Sequence, residues 1–307
     1  MIATRTTPVV TVRIVTYNQE DYIAYTIESV LGQETDFPFE ILICDDHSTD
    51  RTVRIIRNYQ RHYPEKIRLI LNDHNLGVRR NFLKSLNPRD CRGRYIALLD
   101  GDDYWMDRDK LKKQVSFMEA HPECSLCFHN ALKIYEDGRP AAPYVLRDLP
   151  EIISLRELLY EDFIPTSATL YRNHLYEDLP RWIYGLAFGD WPLHVINACY
   201  GKIGYIHEIM AVYRIHSRGI WSKGGQLSLE QRIGQSRAGI NFYRAINRHL
   251  NYEHDDVIRS QVQNMREKIR YWNSLRVKTS LIARFPLLYK MFLSRRYIFR
   301  KRSFRRA

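Results

Sequence analysis

Four consecutive residues, Asp100-Gly101-Asp102-Asp103, have the types and the spacing to bind a divalent metal ion. Carboxylates hold Mg²⁺ or Mn²⁺, and such an ion stabilises the negative charge that develops on a diphosphate when its bond to carbon breaks. The residues follow an apolar segment, 94–99, that is typical of a strand. Because side chains alternate along a strand, Asp100 and Asp102 should point to the same face, so that one can reach a ribose hydroxyl and the other the metal. The same residues also suit a turn between a strand and a helix, and both interpretations stay open here.

Polar side chains also follow the three preceding strand-like segments. They are Thr16-Tyr17-Asn18 after the first, residues 44–50 after the second and residues 75–81 after the third. In an open parallel sheet, ligands bind just outside the carboxyl ends of the strands. The four sets of residues therefore predict one site at a single edge of the sheet, suited to a nucleotide diphosphate with a divalent metal ion.

The elements that must position these groups alternate regularly in the first half of the chain. Strands are predicted at 9–15, 39–44, 67–71, 94–99 and 124–135, and helices at 21–33, 78–86, 109–120 and after Ser48 or Thr49 as a cap. This alternation favours the α/β class, with a largely parallel central sheet and helices on both faces. The pattern is then irregular until about residue 225, and two more helices are predicted at 227–250 and 255–275.

Four segments resemble, in order, the successive motifs of family 2 glycosyltransferases, which have the GT-A fold. They are residues 10–33 (VTVRIVTYNQEDYIAYTIESVLGQ), 40–52 (EILICDDHSTDRT), 75–81 (NLGVRRN) and 94–105 (RYIALLDGDDYW). Any one of these motifs is weak, but four in the right order are specific. The resemblance implies transfer of a sugar from a nucleotide-sugar donor with inversion at the anomeric carbon, aided by Mn²⁺ or Mg²⁺.

The resemblance also implies roles for individual residues on the donor side of the site. Tyr17 and Asp46 match positions that hold the nucleobase, with Asp45 beside them. Arg80 matches a further donor contact, Asp100 matches the ribose contact, and Asp102 matches the metal ligand. Asp103 is left to share the metal or to cap the next helix.

An inverting displacement needs a base, because the acceptor hydroxyl must lose its proton as it attacks. Residues 184–191 (YGLAFGDW) resemble the family's base motif, which predicts Asp190 as the base. Asp190 would also suit a helix N-cap, and the two roles are compatible. Asp162 and Glu161 are weaker rivals for the base.

Residues 213–222 (YRIHSRGIWS) resemble a late motif of the family, in which a histidine completes the metal shell. By that resemblance His216 is a metal ligand, and a neutral imidazole suits Mn²⁺. A lone histidine is also a common structural residue. Arg214 and Arg218 are suited to clamp phosphate, or to pair with surface acids.

Length and composition bound the organisation of the chain. It has 307 residues and 36.7 kDa, with 45% hydrophobic and 27% charged residues, which excludes intrinsic disorder. We expect a GT-A domain at 1–225, with a nucleotide-sugar half at 1–120 and an acceptor and base half at 121–225. A helical hairpin and a basic amphipathic tail then occupy 226–307. Five cysteines, an odd and sparse set without a secretion signal, favour a cytoplasmic location.

The net charge of +12 is concentrated at the end of the chain. Residues 276–307 contain 11 Lys or Arg and no Asp or Glu, so the rest of the chain carries only +1. Basic residues interleaved with aromatic and aliphatic ones are typical of a segment lying on an anionic membrane, which predicts a peripheral protein on the inner membrane face. A solvated end without a partner is the alternative, and nucleic acid is not expected as a partner.

These observations lead to one hypothesis and two alternatives. The hypothesis is a metal-dependent inverting glycosyltransferase of cell-envelope polysaccharide synthesis, which extends a lipid-linked or polysaccharide glycan. A UDP-sugar is the expected donor. A nucleotidyltransferase acting on a sugar phosphate uses a similar sheet, but it normally carries a Gly-rich basic loop where this chain has Thr16-Tyr17-Asn18-Gln19-Glu20. The other alternative is a non-catalytic module that binds a glycan or a membrane.

Overall fold

The elements of the first half follow one another in the predicted order. The structure is a computed structural model that describes residues 7–86, 90–186, 189–219 and 227–284, with side chains up to residue 276. The strands are β1 (Val10–Thr16), β2 (Phe39–Asp45), β3 (Ile67–Leu71), β4 (Tyr95–Asp100), β5 (Tyr104–Trp105) and β6 (Cys124–Tyr135). The helices between them are α1 (Ile23–Leu31), α2 (Thr52–His62), α3 (Val78–Lys84) and α4 (Lys110–Ala120).

The second half adds shorter elements and one long strand. These elements are β7 (Ala142–Pro143), β8 (Ile152–Ile153), α5 (Leu155–Tyr160), β9 (Thr169–Arg172), α6 (Asp190–Ala198) and β10 (Lys202–Ile215). The sequence pattern did not predict β10. Its register shifts twice between Ile206 and Ala211, and the exposed His207 and Glu208 lie near its middle, so the strand lacks a continuous alternation of apolar and polar residues.

All ten strands belong to one mixed sheet. Its main path runs β3-β2-β1-β4-β9-β6-β10-β5, while β7 pairs with β6 and β8 with β10. The four strands from β3 to β4 are parallel, β9 is antiparallel to both of its neighbours, and β6 and β10 are parallel to each other. The predicted α/β class with a largely parallel sheet is confirmed. The carboxyl ends of β1, β2, β3 and β4 consequently meet at one edge.

Continuous apolar runs explain the centre of this sheet. All seven residues of β2 are buried, as expected for a parallel strand covered on both faces. On one face, α1 packs Ile23, Ile27 and Val30 into the core, at the spacing of a single helix side. This packing holds the strand ends rigidly enough to position a site.

The predicted cap of α2 is wrong. The helix begins at Thr52, and neither Ser48 nor Thr49 caps it. Ser48 Oγ instead donates to Asp45 Oδ2 at 2.5 Å, and the backbone N–H of Thr49 donates to Asn18 Oδ1 at 2.8 Å. Both residues therefore hold the loops at the ends of β1 and β2 together.

The chain divides into two compact units, Met1–Lys223 and Gly224–Ala307. The second contains α7 (Leu229–His249) and α8 (Asp255–Arg284). A reciprocal pair of hydrogen bonds between Ser228 and Gln231 starts α7. Gly239 then lets the two helices approach, because a Cβ there would lie 2.4 Å from the sulfur of Met265.

The predicted basic tail lies mostly outside the described residues, and so does the predicted domain boundary after residue 225. Both stay predictions. Among the described helices, none has the length and the apolar sequence needed to cross a membrane.

Candidate functional site

A cleft opens at the predicted edge of the sheet. It is lined at the ends of five strands: by residues 15–19 at and after the end of β1, by Asp46 after β2, by residues between 75 and 81 after β3, by Asp100 at the end of β4 with Asp102 just after it, and by residues between 213 and 219 at the end of β10. The structure therefore brings Tyr17, Asp46, Asp100, Asp102 and His216 together in one cleft. Asp45, Arg80 and Asp190 are not among the described residues that line it.

Asp102 and His216 meet across the cleft although 114 residues separate them. His216 Nε2 lies 2.9 Å from Asp102 Oδ2, and the two side chains are only 3% and 18% exposed. The His216 ring also packs against Tyr22, with ring centroids 4.6 Å apart. A carboxylate oxygen and an imidazole nitrogen held this close form a donor set that suits Mn²⁺. No third His, Cys, Asp or Glu completes a metal-binding group among the described residues, so a bound ion would need further oxygen ligands from a substrate or water.

Asp103 is turned away from the cleft and anchors β10. It is 1% exposed, and its Oδ1 accepts the backbone N–H of Arg214 at 2.9 Å. Arg214 also donates from Nε to the backbone oxygen of Asp102 at 2.9 Å. Burial, with the charges of Asp102 and Asp100, raises the pKa of Asp103 well above its usual value. Asp103 therefore helps to position Asp102 and His216.

Gly101 is required between the acidic residues because the chain passes close to the end of β1. A Cβ at this position would lie 2.4 Å from Gln19 Oε1 and 2.9 Å from the Cβ of Thr16. Asp100, just before it, lies at the floor of the cleft. Burial and then the charge of Asp102 raise the pKa of Asp100 to about 7, while Arg13 opposes the shift.

The carboxylate of Asp46 is held firmly by three donors. Its Oδ1 accepts from the backbone N–H of Leu76 at 2.8 Å and from Asn72 Nδ2 at 2.9 Å, and its Oδ2 accepts from the backbone N–H of Gly77 at 2.9 Å. Gly77 has a φ of 82°, which favours glycine at this turn. Tyr17 lies at the rim of the same end of the cleft and is 42% exposed.

Sequence reasoning missed the amide residues that support Asp46. Asn72 donates to Asp46 and to Asn81 Oδ1 at 3.0 Å, and accepts from Lys84 Nζ at 2.7 Å. The signal that could have identified Asn72 is its place as the first polar residue after the apolar end of a strand. Such a position is easily taken for an ordinary turn.

Asp45 and Arg80 occupy other environments than the cleft. Asp45 points into its own turn, where Oδ1 accepts the backbone N–H of Ser48 at 2.9 Å. Burial raises the pKa of Asp45, while the hydrogen bonds from Ser48 oppose the shift. Arg80 is exposed on α3. Its neighbour Arg79 donates to the backbone oxygen of Leu186 and thereby ties α3 to the segment that precedes α6.

Two arginines, Arg214 and Arg218, lie on either side of Asp102 and His216. The guanidinium of Arg214 lies 5.0 Å from the ring centroid of Tyr22 and 5.2 Å from that of Tyr104. Arg218 forms an ion pair with Asp21 and lies 5.5 Å from the ring centroid of Tyr22. Both arginines line the cleft, and this supports a site for an anionic group such as a diphosphate.

Asp190 is the first residue of α6, since Gly189 takes the N-cap position. Its Oδ1 accepts the backbone N–H of Trp191 at 2.9 Å, and its Oδ2 accepts from Thr166 Oγ1 at 3.1 Å. Asp190 is close enough to Asp100 to contribute to the raised pKa of that residue. It therefore stands next to the cleft, behind the residues that line it.

A second carboxylate, Asp162, and Tyr144 lie near Asp190. Burial raises the pKa of Asp162 well above its usual value, and the charge of Asp190 adds to the shift. Burial and then the charges of both acids raise the pKa of Tyr144. The ring of Tyr144 packs edge-on against that of Tyr213, with centroids 5.8 Å apart. Because Tyr213 lines the cleft, this group connects the cleft to Asp190.

Comparison with known proteins gives a family and a fold. The model of the family described as "Glycosyl transferase family 2" matches residues 11–179. An uncharacterized protein of Mycobacterium tuberculosis is 43% identical over 208 residues, which are 67% of this chain and 59% of that protein. The chain thus spans about three fifths of the length of that relative.

A functionally named relative and a solved structure are also similar. The relative is UDP-Glc:alpha-D-GlcNAc-diphosphoundecaprenol beta-1,3-glucosyltransferase WfaP of Escherichia coli, which is 38% identical over 117 residues, 36% of this chain and 41% of that protein. The structure is the mannosyltransferase PcManGT of Pyrobaculum calidifontis in complex with GDP-Man and Mn²⁺. Its TM-score is 0.55 at 16% identity, over 94% of this chain and 84% of that one, so the likeness is one of fold.

Proposed function

This chain belongs to glycosyl transferase family 2, and we propose that it transfers a sugar from a nucleotide-diphosphate sugar to a hydroxyl of a lipid-linked or polysaccharide acceptor, with inversion at the anomeric carbon. The observation that carries the proposal is the contact of Asp102 with His216, 2.9 Å apart, in the cleft that Asp46 also lines. UDP is the proposed donor nucleotide. The name of the WfaP relative supports both the UDP-sugar and the lipid-linked acceptor.

The donor would lie along the cleft from Asp46 to Asp102. Asp46 and Tyr17 hold the nucleobase, and Asp100 accepts a hydrogen bond from the ribose. Asp45 contributes by fixing the turn that presents Asp46, and Arg80 remains a predicted contact from the exposed side of α3. This assignment uses the fixed orientation of the Asp46 carboxylate, which three donors maintain.

The diphosphate would lie beside Asp102 and His216, which are the proposed ligands of Mn²⁺ or Mg²⁺. The ion supplies positive charge that stabilises the leaving diphosphate. Arg214 and Arg218 add hydrogen-bond donors and positive charge on the same side of the cleft. The manganese named in the PcManGT title supports the choice of a divalent ion, as does the donor set on this chain.

Asp190 is the proposed base. As the acceptor oxygen forms its bond to the anomeric carbon and the bond from that carbon to the diphosphate breaks, the acceptor proton passes to the Asp190 carboxylate. Thr166 and the backbone N–H of Trp191 each donate to one oxygen of that carboxylate and hold it in place. The fixed orientation favours proton transfer, because a base acts only within hydrogen-bond reach of the proton.

A panel of UDP-, GDP- and dTDP-sugars with Mn²⁺ and an undecaprenyl-diphosphate-linked N-acetylglucosamine acceptor tests the proposal. We expect release of nucleoside diphosphate together with a heavier lipid-linked product, measured by mass spectrometry. Asp190→Asn should lose transfer while it keeps donor binding. Asp178→Asn, which changes an exposed acid, is the matched control and should keep both. Donor binding without turnover over the whole panel would favour a non-catalytic module, and full activity of Asp190→Asn would place the base elsewhere.

We also propose that the protein works in the cytoplasm, at the inner face of the membrane. The support is the basic and apolar composition of residues 276–307 together with a lipid-linked acceptor. A lipid-linked substrate is confined to the membrane surface, so an enzyme that stays at that surface meets it more often.

A further inference from the structure

A histidine with no described role lies one helical turn after Asp190. His194 is 0% exposed, and among the described residues neither of its ring nitrogens has a hydrogen-bond partner. Residues four apart on a helix share one face, and the side chain of the later residue leans toward the start of the helix. The imidazole of His194 is therefore on the same side of α6 as the Asp190 carboxylate.

A buried cation lies behind the start of α6. Arg13, on β1, is 0% exposed and donates from Nη1 to Ser85 Oγ at 3.0 Å. Its guanidinium lies 4.3 Å from the ring centroid of Phe82, and a Cβ on Gly189 would lie 3.0 Å from Cδ1 of that ring. Arg13, Phe82 and the residue before Asp190 are thus packed on one another. The Nε and Nη2 atoms of Arg13 have no partner within the described part of the chain.

Burial, together with the charges of Asp190 and Arg13, determines the protonation of His194. Burial lowers the pKa of His194 to about 4, with Asp190 opposing the shift and Arg13 adding to it. The ring is therefore neutral near pH 7, with one N–H donor and one nitrogen lone pair. A carboxylate only accepts hydrogen bonds and a guanidinium only donates them, so a single arrangement satisfies all three groups.

We propose that His194 is a positioning residue for Asp190: through buried waters, its ring N–H donates toward the Asp190 carboxylate and its other nitrogen accepts from Arg13. The inference rests on the proposed role of Asp190 as the base. Each Asp190 oxygen already accepts one hydrogen bond, and a carboxylate has room for about four, so a further donor can be accommodated.

Further buried polar atoms near His194 also need hydrogen-bond partners that water could provide. Asn197, one turn further along α6, and Tyr171, on β9, are buried, and their side-chain polar atoms also have no partner among the described residues. Tyr171 interacts electrostatically with Arg13. Buried polar atoms that lack protein partners are commonly satisfied by ordered water. Ordered water beside Arg13, His194 and Asp190 would satisfy these atoms.

The series of contacts from Arg13 through His194 to Asp190 offsets the negative charges around the proposed base. Asp100 from β4 and Asp162 from the loop after α5 both interact with Asp190, so its carboxylate is in a crowded acidic environment. Arg13 acts on that carboxylate through a neutral ring. The acceptor proton stays on Asp190, because burial and the nearby Arg13 disfavour a charged His194.

Nuclear magnetic resonance of the full chain with ¹⁵N-labelled histidine tests the contact without any substrate. We expect the His194 ring to be neutral and in one tautomer from pH 5.5 to pH 8, and Asp190→Asn to shift its ring nitrogen resonances. Asp178→Asn, at an exposed acid, should leave them unchanged. Titration of His194 between pH 6 and pH 7, or resonances that do not move in Asp190→Asn, would overturn the proposal.

Kinetics then separate a positioning role from a merely structural one. His194→Leu should lower kcat about tenfold or more with the dissociation constant for UDP and Mn²⁺ unchanged, because general-base catalysis contributes about a hundredfold or more and depends on the orientation of the base. His194→Gln keeps a donor and an acceptor and should recover part of kcat. If His194→Leu folds and retains the wild-type kcat, or if His194→Gln folds and recovers none of it, the proposal is wrong. A wild-type protein without transferase activity would instead contradict the proposed function, and the resonance experiment would still decide the contact.

Discussion

Adjacent acidic residues differ in their environments, and this difference determines what each can bind. Asp103 is closed off by the backbone of β10, whereas the side chain of Asp102 is 18% exposed and touches His216. Likewise Asp45 is committed to Ser48, whereas Asp46 faces the cleft. Of these four carboxylates, Asp102 is the most accessible to a ligand, while Asp46 lines the cleft although, like Asp45, it is only 1% exposed. The predictions at this scale therefore concern Asp102 and the glycine beside it.

Asp102→Asn should remove the metal-dependent part of donor binding. A ligand that binds only the folded state raises stability by about 2.7 kcal/mol at a hundred times its dissociation constant. In the wild type, UDP with Mn²⁺ should raise the Tm more than UDP alone, because Asp102 and His216 would hold the ion beside the diphosphate. Thermal shift measurements should find this extra rise absent in Asp102→Asn and present in Asp178→Asn. An equal rise in Asp102→Asn would show that the ion binds elsewhere.

Gly101→Ala should distort the cleft, because the added Cβ would come within 2.9 Å of the Cβ of Thr16, which is fixed to β1 and cannot rotate away. Overpacking of this kind costs about 1–3 kcal/mol, and urea denaturation should detect the loss together with weaker UDP binding. Gly234→Ala is the matched control, since nothing lies within 4 Å of a Cβ at that helical position. That control should gain about 0.5–1 kcal/mol. Wild-type stability and affinity in Gly101→Ala would contradict the close approach.

At the scale of elements, strand β6 and helix α4 enclose basic groups in the core. His129 on β6 is 0% exposed, with Nδ1 2.8 Å from the backbone oxygen of Asn130. Lys110, on α4, is also 0% exposed, and its Nζ lies 3.6 Å from the ring centroid of Trp105. Burial lowers the pKa of both groups, and Lys110 adds to the shift of His129. Such groups make the stability of the sheet depend on pH.

The stability of the protein should fall on acidification, in part because of His129. Burial lowers the pKa of His129 to about 3, so between pH 6.5 and pH 3 the unfolded chain binds a proton there that the folded chain does not. The stabilisation is complete above pH 6.5 and is lost as the pH falls toward 3. From pH 7 to pH 4 the loss due to this residue is about 3 kcal/mol.

Urea denaturation of the wild type and of His129→Gln at pH 7, 5.5 and 4 measures this contribution. Glutamine does not titrate, so the variant should lose less stability than the wild type over the same range. His194 contributes to acid sensitivity in the same direction in both proteins and cancels in the comparison. Equal pH dependence of the two proteins would show that His129 is protonated in the folded state.

At the scale of the whole molecule, the donor cleft belongs to one compact unit, while much of the basic charge belongs to the other. The cleft residues lie within Met1–Lys223, and the segment with 11 Lys or Arg lies within Gly224–Ala307. This division predicts that the proposed catalysis and the proposed membrane binding can be changed separately. A single truncation can test it.

A variant without residues 285–307 should no longer sediment with vesicles of anionic phosphatidylglycerol. The deleted segment carries eight Lys or Arg and no acidic residue, and each basic residue near such a surface contributes about 1 kcal/mol. The full chain should bind these vesicles at low salt, less at high salt, and not bind vesicles of neutral phosphatidylcholine. UDP binding should be the same in both proteins. Unchanged sedimentation of the shortened variant would refute the membrane role of the tail.

Much of the nucleotide half of the fold could be predicted from the sequence. The apolar run of β2 and the helical spacing of Ile23, Ile27 and Val30 depend on local periodicity, which a sequence displays directly. The same is true of the acidic residues that follow β4, because parallel strands must end at a common edge. In contrast, the bulged β10 was missed, since its irregular register leaves no period to detect.

Tertiary structure alone decided which side chains meet. The sequence determined that Asp45, Asp46, Asp102 and Asp103 follow strands, and by resemblance it pointed to His216 and Asp190. It did not determine that Asp46 and Asp102 face the cleft while their neighbours brace it, nor that Arg13 and His194 are buried near Asp190. Periodicity specifies the direction of a side chain within its own element. Contacts such as Asp102 with His216 join residues 114 apart, and they exist only because two strands with no local sequence relation pack into one sheet.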